Sequence, residues 1–192
     1  MKKVGILGGT FDPIHHGHLI TAQALVELRN LEKIIFIPCY VSPHKTSQYN
    51  SSAADRLNMV RLAVEGNKYF DYSSLEVLRE GVSYTVDTLR DLKKSYNELE
   101  LIIGYDNLEK FSTWKEPDEL LKLAKLVVMQ RETKKRELPK DKYYYSADFV
   151  ETPQIDIKAT LIRERVRNNL PIDFLVPEKI KEYILRNNLY KL

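Results

Sequence analysis

The stretch Val4-Gly5-Ile6-Leu7-Gly8-Gly9-Thr10-Phe11-Asp12-Pro13-Ile14-His15-His16-Gly17-His18 decides how the rest of the chain is read. Val4 to Leu7 is a short apolar run closed by Gly8-Gly9, the pattern of a buried strand meeting a tight turn. Beyond it, Leu19, Ala22, Leu25, Val26 and Leu28 recur at roughly helical spacing, which predicts a helix from His16 to Leu28. Glycines at a strand end let backbone N–H groups approach a phosphate, and the next helix turns its positive end toward the same anion. His15 and His18 are three residues apart, so both rings can point the same way in the first helical turn. Gly17 between them is expected to leave room for a ligand against the helix. Two imidazoles aimed at one point suit charge developing on a phosphoryl oxygen. Metal ligation and incidental surface placement are the competing readings. A metal would lack a third ligand, because no carboxylate or further histidine stands at helical spacing and only His16 and His44 remain.

Working outward, the same alternation recurs. Ile34 to Ile37 is a second buried strand stopped by Pro38, followed by a polar loop with Pro43 and Ser47 to Ser52 whose length suggests a functional segment. Ala53 to Val64 is an amphipathic helix, with Leu57, Val60, Leu62, Ala63 and Val64 favouring one side. A strand is expected within Tyr69 to Val77, a helix over Thr85 to Tyr96, and a strand over Leu99 to Ile103 ending at Gly104. Asn107 to Phe111 and Asp118 to Ala124 read as helical, and Leu126 to Met129 as a strand. Strands alternating with helices make βαβ units, hence an α/β fold with a doubly wound parallel sheet whose ligands sit beyond the strands' carboxyl ends. Thr133 to Lys142, with Lys134-Lys135-Arg136, reads as a solvated charged loop. Past Ile155-Asp156-Ile157 come two short helices, Thr160 to Asn168 and Pro177 to Asn187. No repeat or low-complexity linker interrupts the chain. The expectation is a single domain over 1–192, with 158–192 a helical C-terminal part. Tyr143-Tyr144-Tyr145 could be a strand, an interface patch or an edge.

Composition narrows the function classes. The chain has 192 residues, 43% of them hydrophobic and 30% charged, ordinary values for a globular protein. A net charge of +3 with mixed signs suits anionic small substrates and is too slight to argue for nucleic acid. Cys39 is the one cysteine, which rules out an internal disulfide and fits a reducing cytoplasm. The run Val4 to Leu7 is too short for an export signal, and no stretch approaches the ~20 apolar residues of a membrane span. Homo-oligomerisation is left open.

Other segments carry polar groups suited to nucleotides. Pro43-His44-Lys45 follows the second strand, and a lysine there is a point charge for phosphate or an ordinary solvated side chain. Asp106 in Gly104-Tyr105-Asp106 stands at the sheet's carboxyl edge, placed to accept from ribose hydroxyls or to cap the next helix. Thr160 and Arg163, at i and i+3, could grip phosphates at a helix start, with Thr160 also a candidate cap. Trp114, the sole tryptophan, packs in a core or stacks on a ring. Arg131 stacks on a base or lies on the surface.

The longer string G-G-T-F-D-P-x-H-x-G-H resembles the H-x-G-H nucleotidyltransferase superfamily, and within it the bacterial nicotinate-nucleotide adenylyltransferases. The likeness continues at Pro43-His44-Lys45, Tyr84-Thr85-Val86-Asp87-Thr88, Gly104-Tyr105-Asp106, Trp114, Thr160 to Arg165, Leu175-Val176-Pro177 and Tyr183-Ile184. It thus covers nearly the whole chain in order. One departure stands out: the family's I-S-x-T-x-x-R reads Ile157-Lys158-Ala159-Thr160-Leu161-Ile162-Arg163, with Lys158 in place of serine. The resemblance implies a Rossmann-like fold and adenylyl transfer from ATP to nicotinate mononucleotide, with Mg²⁺ held through the ATP phosphates. It implies His15 and His18 as catalytic residues. Gly8, Gly9, Thr10, Phe11, Gly17, Gly104, Asp106, Thr160 and Arg163 would meet ATP. His44, Lys45, Tyr84, Thr85, Trp114 and Arg131 would meet the mononucleotide. A pantetheine-phosphate or nicotinamide-mononucleotide adenylyltransferase, or a non-catalytic nucleotide-binding regulator, are the alternatives.

Overall fold

Strand β1 (Val4–Gly9) is buried on both faces from Val4 to Leu7, which is why that part reads as an unbroken apolar run rather than an alternating one. A computed structural model of the chain describes residues 3–43, 51–130 and 141–191. After β1 come α1 (His16–Arg29), β2 (Lys33–Pro38), α2 (Ala53–Val64), β3 (Phe70–Tyr72), α3 (Leu75–Arg79), α4 (Thr85–Leu92) and β4 (Leu99–Gly104). The second half adds α5 (Tyr105–Leu108), a 3₁₀ turn at Phe111–Thr113, α6 (Pro117–Leu123), β5 (Lys125–Gln130) and α7 (Lys142–Ser146). It ends with β6 (Asp148–Glu151), α8 (Ala159–Arg167) and α9 (Glu178–Arg186).

Among the described residues the strands form one six-stranded sheet in the order β3-β2-β1-β4-β5-β6. Every pairing is parallel, with Leu7 between Phe36 and Ile102 at the centre. The order reverses between β1 and β4, and an open α/β sheet leaves a crevice at such a reversal, outside the strands' carboxyl ends. Alternate residues of each strand feed two cores. Leu7, Ile34, Phe36, Ile102 and Val127 pack under α1, α2, α8 and α9. Val4, Ile6, Ile35, Ile37, Leu101 and Ile103 pack under α4, α6 and α7. The C-terminal helices enter the first core through Ile162, Val166, Ile180 and Ile184, each 5% exposed or less. Burying one such side chain is worth roughly 1.5–3 kcal/mol, enough to anchor a short helix.

Several local readings change. Gly8 and Gly9 continue the strand, paired with Ile37 and Pro38, and the turn comes one step later at Thr10 to Pro13. The buried face of α2 is Arg56, Met59, Val60 and Val64, so an arginine occupies a core position that the apolar pattern could not assign. Leu28 is 57% exposed and does not belong to the inner face of α1. Tyr143-Tyr144-Tyr145 lie in α7, because Asp141 accepts from the Tyr143 and Tyr144 N–H groups and starts a helix there. The edge strand β6 had no counterpart in the sequence reading. It is short and bounded by Asp148 and Glu151, which hides its apolar pair Phe149 and Val150.

Candidate active site

The segment joining β1 to α1 is held in shape by buried contacts from three distant parts of the chain. Phe11 sits at a φ of 51°, the left-handed region, which turns the chain sharply away from β1. Asp12, 5% exposed, accepts from Ser51 Oγ at 2.6 Å and from the Tyr190 hydroxyl at 2.8 Å. Burial and then the charge of Asp12 hold the Tyr190 phenol well above its usual range, so it stays a donor at any working pH. The Asp12 carbonyl accepts from Arg163 Nη1 at 2.7 Å, and Arg163 Nη2 donates to Thr160 Oγ1 at 3.3 Å. The glycine segment and the Thr160–Arg163 segment therefore meet.

Beneath the same turn lies Arg56, fully buried. Its guanidinium donates to the carbonyls of Thr10 (3.0 Å), Cys39 (2.6 Å) and Tyr40 (2.9 Å), tying the end of β1 to the loop after β2. The Tyr40 N–H in turn donates to Ser83 Oγ at 2.9 Å. Glu76 accepts from Thr88 Oγ1 at 2.7 Å, and its burial pushes the carboxyl above the usual range against the pull of Thr88, Ser83 and Arg79.

The two histidines open α1. His15 is its N-cap in extended conformation, 6% exposed, and His18 lies on the first turn. Their rings stack, with centroids 3.7 Å apart and planes 25° off parallel, and the edge of Phe11 supports His18 from 5.1 Å. The His15 N–H donates to His18 Nδ1 at 3.3 Å. An accepting Nδ1 leaves the His18 proton on Nε2, at the far side of the ring. Gly17 borders a cavity and also leaves room for the His15 ring. A Cβ there would stand 3.0 Å from His15 Nδ1 and 3.5 Å from Ile155, so the missing side chain makes room for the His15 ring.

Two adjoining cavities occupy the crevice. One, of about 440 Å³, is lined by His15, Gly17, His18, Gly104, Asp106 and the segment from Thr152 to Lys158, among others. The other, of about 540 Å³, is lined by Gly8, Gly9, Thr10, Phe11 and His18 on one side and by Tyr84, Thr85 and Trp114 on the other. Both volumes fit small-molecule sites. Leu7, His18, Gly104 and Met129 belong to both walls, so His18 stands where the cavities meet.

The expected site residues fall into three groups. His15, His18, Gly8, Gly9, Thr10, Phe11, Gly17, Gly104, Asp106, Tyr84, Thr85 and Trp114 line one cavity or the other. Thr160 and Arg163 do not line either; they brace the turn. His44, Lys45 and Arg131 lie outside the described residues, as does most of the charged loop beginning at Thr133. Two capping expectations are corrected. The N-cap of α5 is Gly104 and Asp106 lies inside the helix, while the N-cap of α8 is Lys158 and Thr160 lies inside that helix. Lys158 makes no side-chain cap, since an ammonium has no acceptor; it lines the first cavity and pairs with Asp156 at 3.3 Å. Trp114 packs 5.2 Å from the Phe111 ring and also walls the second cavity. Arg56, Glu76, Ser51, Tyr190 and the Thr152–Ile157 wall were missed. Among the described residues no group of three His, Cys, Asp or Glu side chains is placed to hold a metal, and no helix is long and apolar enough to cross a membrane.

Comparison with known proteins assigns first the class and then the family. A model of cytidylyltransferase-like proteins matches residues 6–165, from the middle of β1 almost to the end of α8, so the paired histidines and both cavities sit on a nucleotidyltransferase scaffold. The nicotinate-nucleotide adenylyltransferase of Bacillus subtilis is 38% identical over 193 residues, covering 100% of each chain. A probable nicotinate-nucleotide adenylyltransferase of Dehalococcoides mccartyi is 42% identical, covering 98% of this chain and 97% of that one. The chain belongs to the nicotinate-nucleotide adenylyltransferase family. Its fold is shared by the nicotinic acid mononucleotide adenylyltransferase of Plasmodium falciparum, solved in complex with NaAD, at a TM-score of 0.76 and 20% identity over 99% of this chain and 98% of that one.

Proposed function

We propose that the protein transfers the adenylyl group of ATP to nicotinate mononucleotide, giving nicotinate adenine dinucleotide and pyrophosphate, a step in NAD formation, and that residues 1–192 act as one catalytic unit. The mononucleotide phosphate attacks the α-phosphorus of ATP. A P–O bond forms to the incoming oxygen, the α–β bridging bond breaks, and pyrophosphate leaves. The nucleophile is already ionised near neutral pH, so no general base is required and catalysis falls to positioning and charge stabilisation.

The observation that carries this reading is the place of His18 in the walls of both cavities. A transfer between two bound nucleotides needs one donor group at the junction, and the Nε2–H of His18 is directed away from the His15 backbone that occupies its Nδ1. ATP would take the cavity with Gly17, Gly104 and Asp106, the last accepting from ribose. The mononucleotide would take the cavity with Tyr84, Thr85 and Trp114, its pyridine ring against the indole. Gly8 to Phe11 would meet phosphate where the two halves join. His44, Lys45 and Arg131 keep the phosphate and base contacts implied by their sequence. Mg²⁺ would arrive on the triphosphate and neutralise its charge.

Incubation with ATP, Mg²⁺ and each pyridine mononucleotide, followed by measurement of pyrophosphate and dinucleotide, tests the proposal. Turnover of nicotinate mononucleotide is the expected result. ATP binding with no pyrophosphate release from either mononucleotide would refute it.

A further inference from the structure

Nicotinate and nicotinamide rings have nearly the same shape, so shape alone cannot separate them and a site that does so must read the charge of the ring substituent. Among the described residues, the charged ones lining the second cavity are Glu76, Lys110 and Lys115. Lys115 is committed: its ammonium donates to Asp87 Oδ2 at 2.9 Å and lies 4.6 Å from the centre of the Tyr84 ring. Glu76 is turned to Thr88 and is 7% exposed, and its burial favours the neutral carboxyl. The Lys110 ammonium has no ion-pair or hydrogen-bond partner among the described residues. Its backbone is fixed nonetheless, since the Lys110 carbonyl accepts both the N–H (2.9 Å) and the hydroxyl (2.7 Å) of Thr113. The next residue, Phe111, is fully buried, and Trp114 follows on the same cavity wall. An exposed cation on a fixed stretch of backbone therefore borders a cavity whose one acid among the described residues is spent on internal hydrogen bonds.

We infer that Lys110 is a specificity-determining residue that pairs with the carboxylate on the pyridine ring and so favours the acid over the amide. The inference rests on assigning the second cavity to the mononucleotide. The first turn of α4, at Tyr84 and Thr85, presents N–H donors and a positive helix end to the same cavity. Donors of that kind also satisfy an amide oxygen in part, whereas a full cation on the other side distinguishes a carboxylate sharply. Lys110 is exposed and makes no core contact, so its replacement leaves the fold intact.

The test measures kcat and KM for both mononucleotides at saturating ATP in the wild-type chain, Lys110→Met and Lys110→Arg. Lys110→Met should raise KM for nicotinate mononucleotide about tenfold, the upper scale of one partly exposed charge pair. KM for nicotinamide mononucleotide should stay within about twofold, so the preference for the acid falls about tenfold, and Lys110→Arg should restore most of it. An unchanged preference in Lys110→Met, including equal losses with both substrates, would overturn the role of Lys110 while leaving the activity in place. Wild-type protein that turns over neither mononucleotide would overturn the activity and this role together.

Discussion

The two edges of the sheet put their charges to opposite uses. At the amino edge a set of charges is spent on internal pairs. Arg29 donates to both oxygens of Glu100 (2.8 and 2.9 Å) and to Asp148 (2.9 Å), Lys125 reaches Asp148 at 2.9 Å, and Lys33 reaches Asp71 at 2.7 Å. These bridges join α1, β4, β5 and β6 across the sheet, and the bond to Glu100 first of all holds the Arg29 guanidinium above its usual range. At the carboxyl edge the polar groups brace loops and leave donors directed into cavities. Arg56 and Asp12 use buried charge to fix backbone, and His18 keeps Nε2 pointing outward. The parallel fold explains the division: each βαβ unit turns its helix start, with unsatisfied N–H groups and a positive end, toward the carboxyl edge. That edge attracts anions without help, and the opposite edge is free to be locked.

A pair of substitutions should separate the two roles. His18→Ala is expected to lower turnover by about two orders of magnitude or more, the scale of one transition-state donor, with thermal stability nearly unchanged. Pyrophosphate release together with a melting curve checks it, and wild-type turnover would remove His18 from the mechanism. Arg29→Ala should do the reverse. It strands Glu100, whose side chain is 4% exposed, with only Lys3 at 3.5 Å, so stability should fall by about 2–4 kcal/mol while activity per folded molecule is retained. Denaturant titration reads the first quantity. A loss of turnover in protein that is still folded would break the division between the edges.

How much of this was legible in the sequence follows from the range of each interaction. Strands β1, β2, β4 and β5 and helices α1, α2, α8 and α9 come from runs and periods within the chain, and their order alone predicts the doubly wound sheet. The histidine pair is equally local, because three residues along one helical turn set both rings. Arg56 looks like any cation on an amphipathic helix; that it lies under three carbonyls from two other segments is a tertiary fact. Tyr190 and Ser51 meet Asp12 across separations that no periodicity reports. Gly17 carried a readable signal, but that the His15 ring also uses the space could be identified only with the turn in place. Lys110 borders a charged stretch, and nothing nearby in sequence marks it as facing a cavity.

Glu76 blurs the comparison, since it is an acid at the active edge held away from water. Its folded pKa is raised, chiefly by burial, so its contribution to stability is present below the ordinary carboxylate range and is lost as pH climbs through the raised value. Glu76→Gln removes that titration. The wild-type chain should therefore lose thermal stability relative to the variant as pH rises from the ordinary carboxylate range through the raised value. A melting-temperature gap that stays constant across this range would mean that Glu76 is ionised in the folded chain as readily as in the unfolded one.

The smallest expected effect exchanges one use of charge for the other at a single residue. Lys158 stands at the N-cap of α8 with an extended backbone, φ −118° and ψ 135°, and offers the helix no acceptor. Lys158→Ser leaves that backbone unchanged and adds a hydroxyl able to accept from the first turn, worth about 0.5–1 kcal/mol of stability. The same change removes a cation from the wall of the first cavity. That cation is exposed and already paired with Asp156, so its loss should raise KM for ATP by less than about threefold. A gain in melting temperature with a small rise in KM would show Lys158 favouring the nucleotide at the helix's expense. A large rise in KM would make it a principal phosphate contact, and the open helix start would then be the cost of holding ATP.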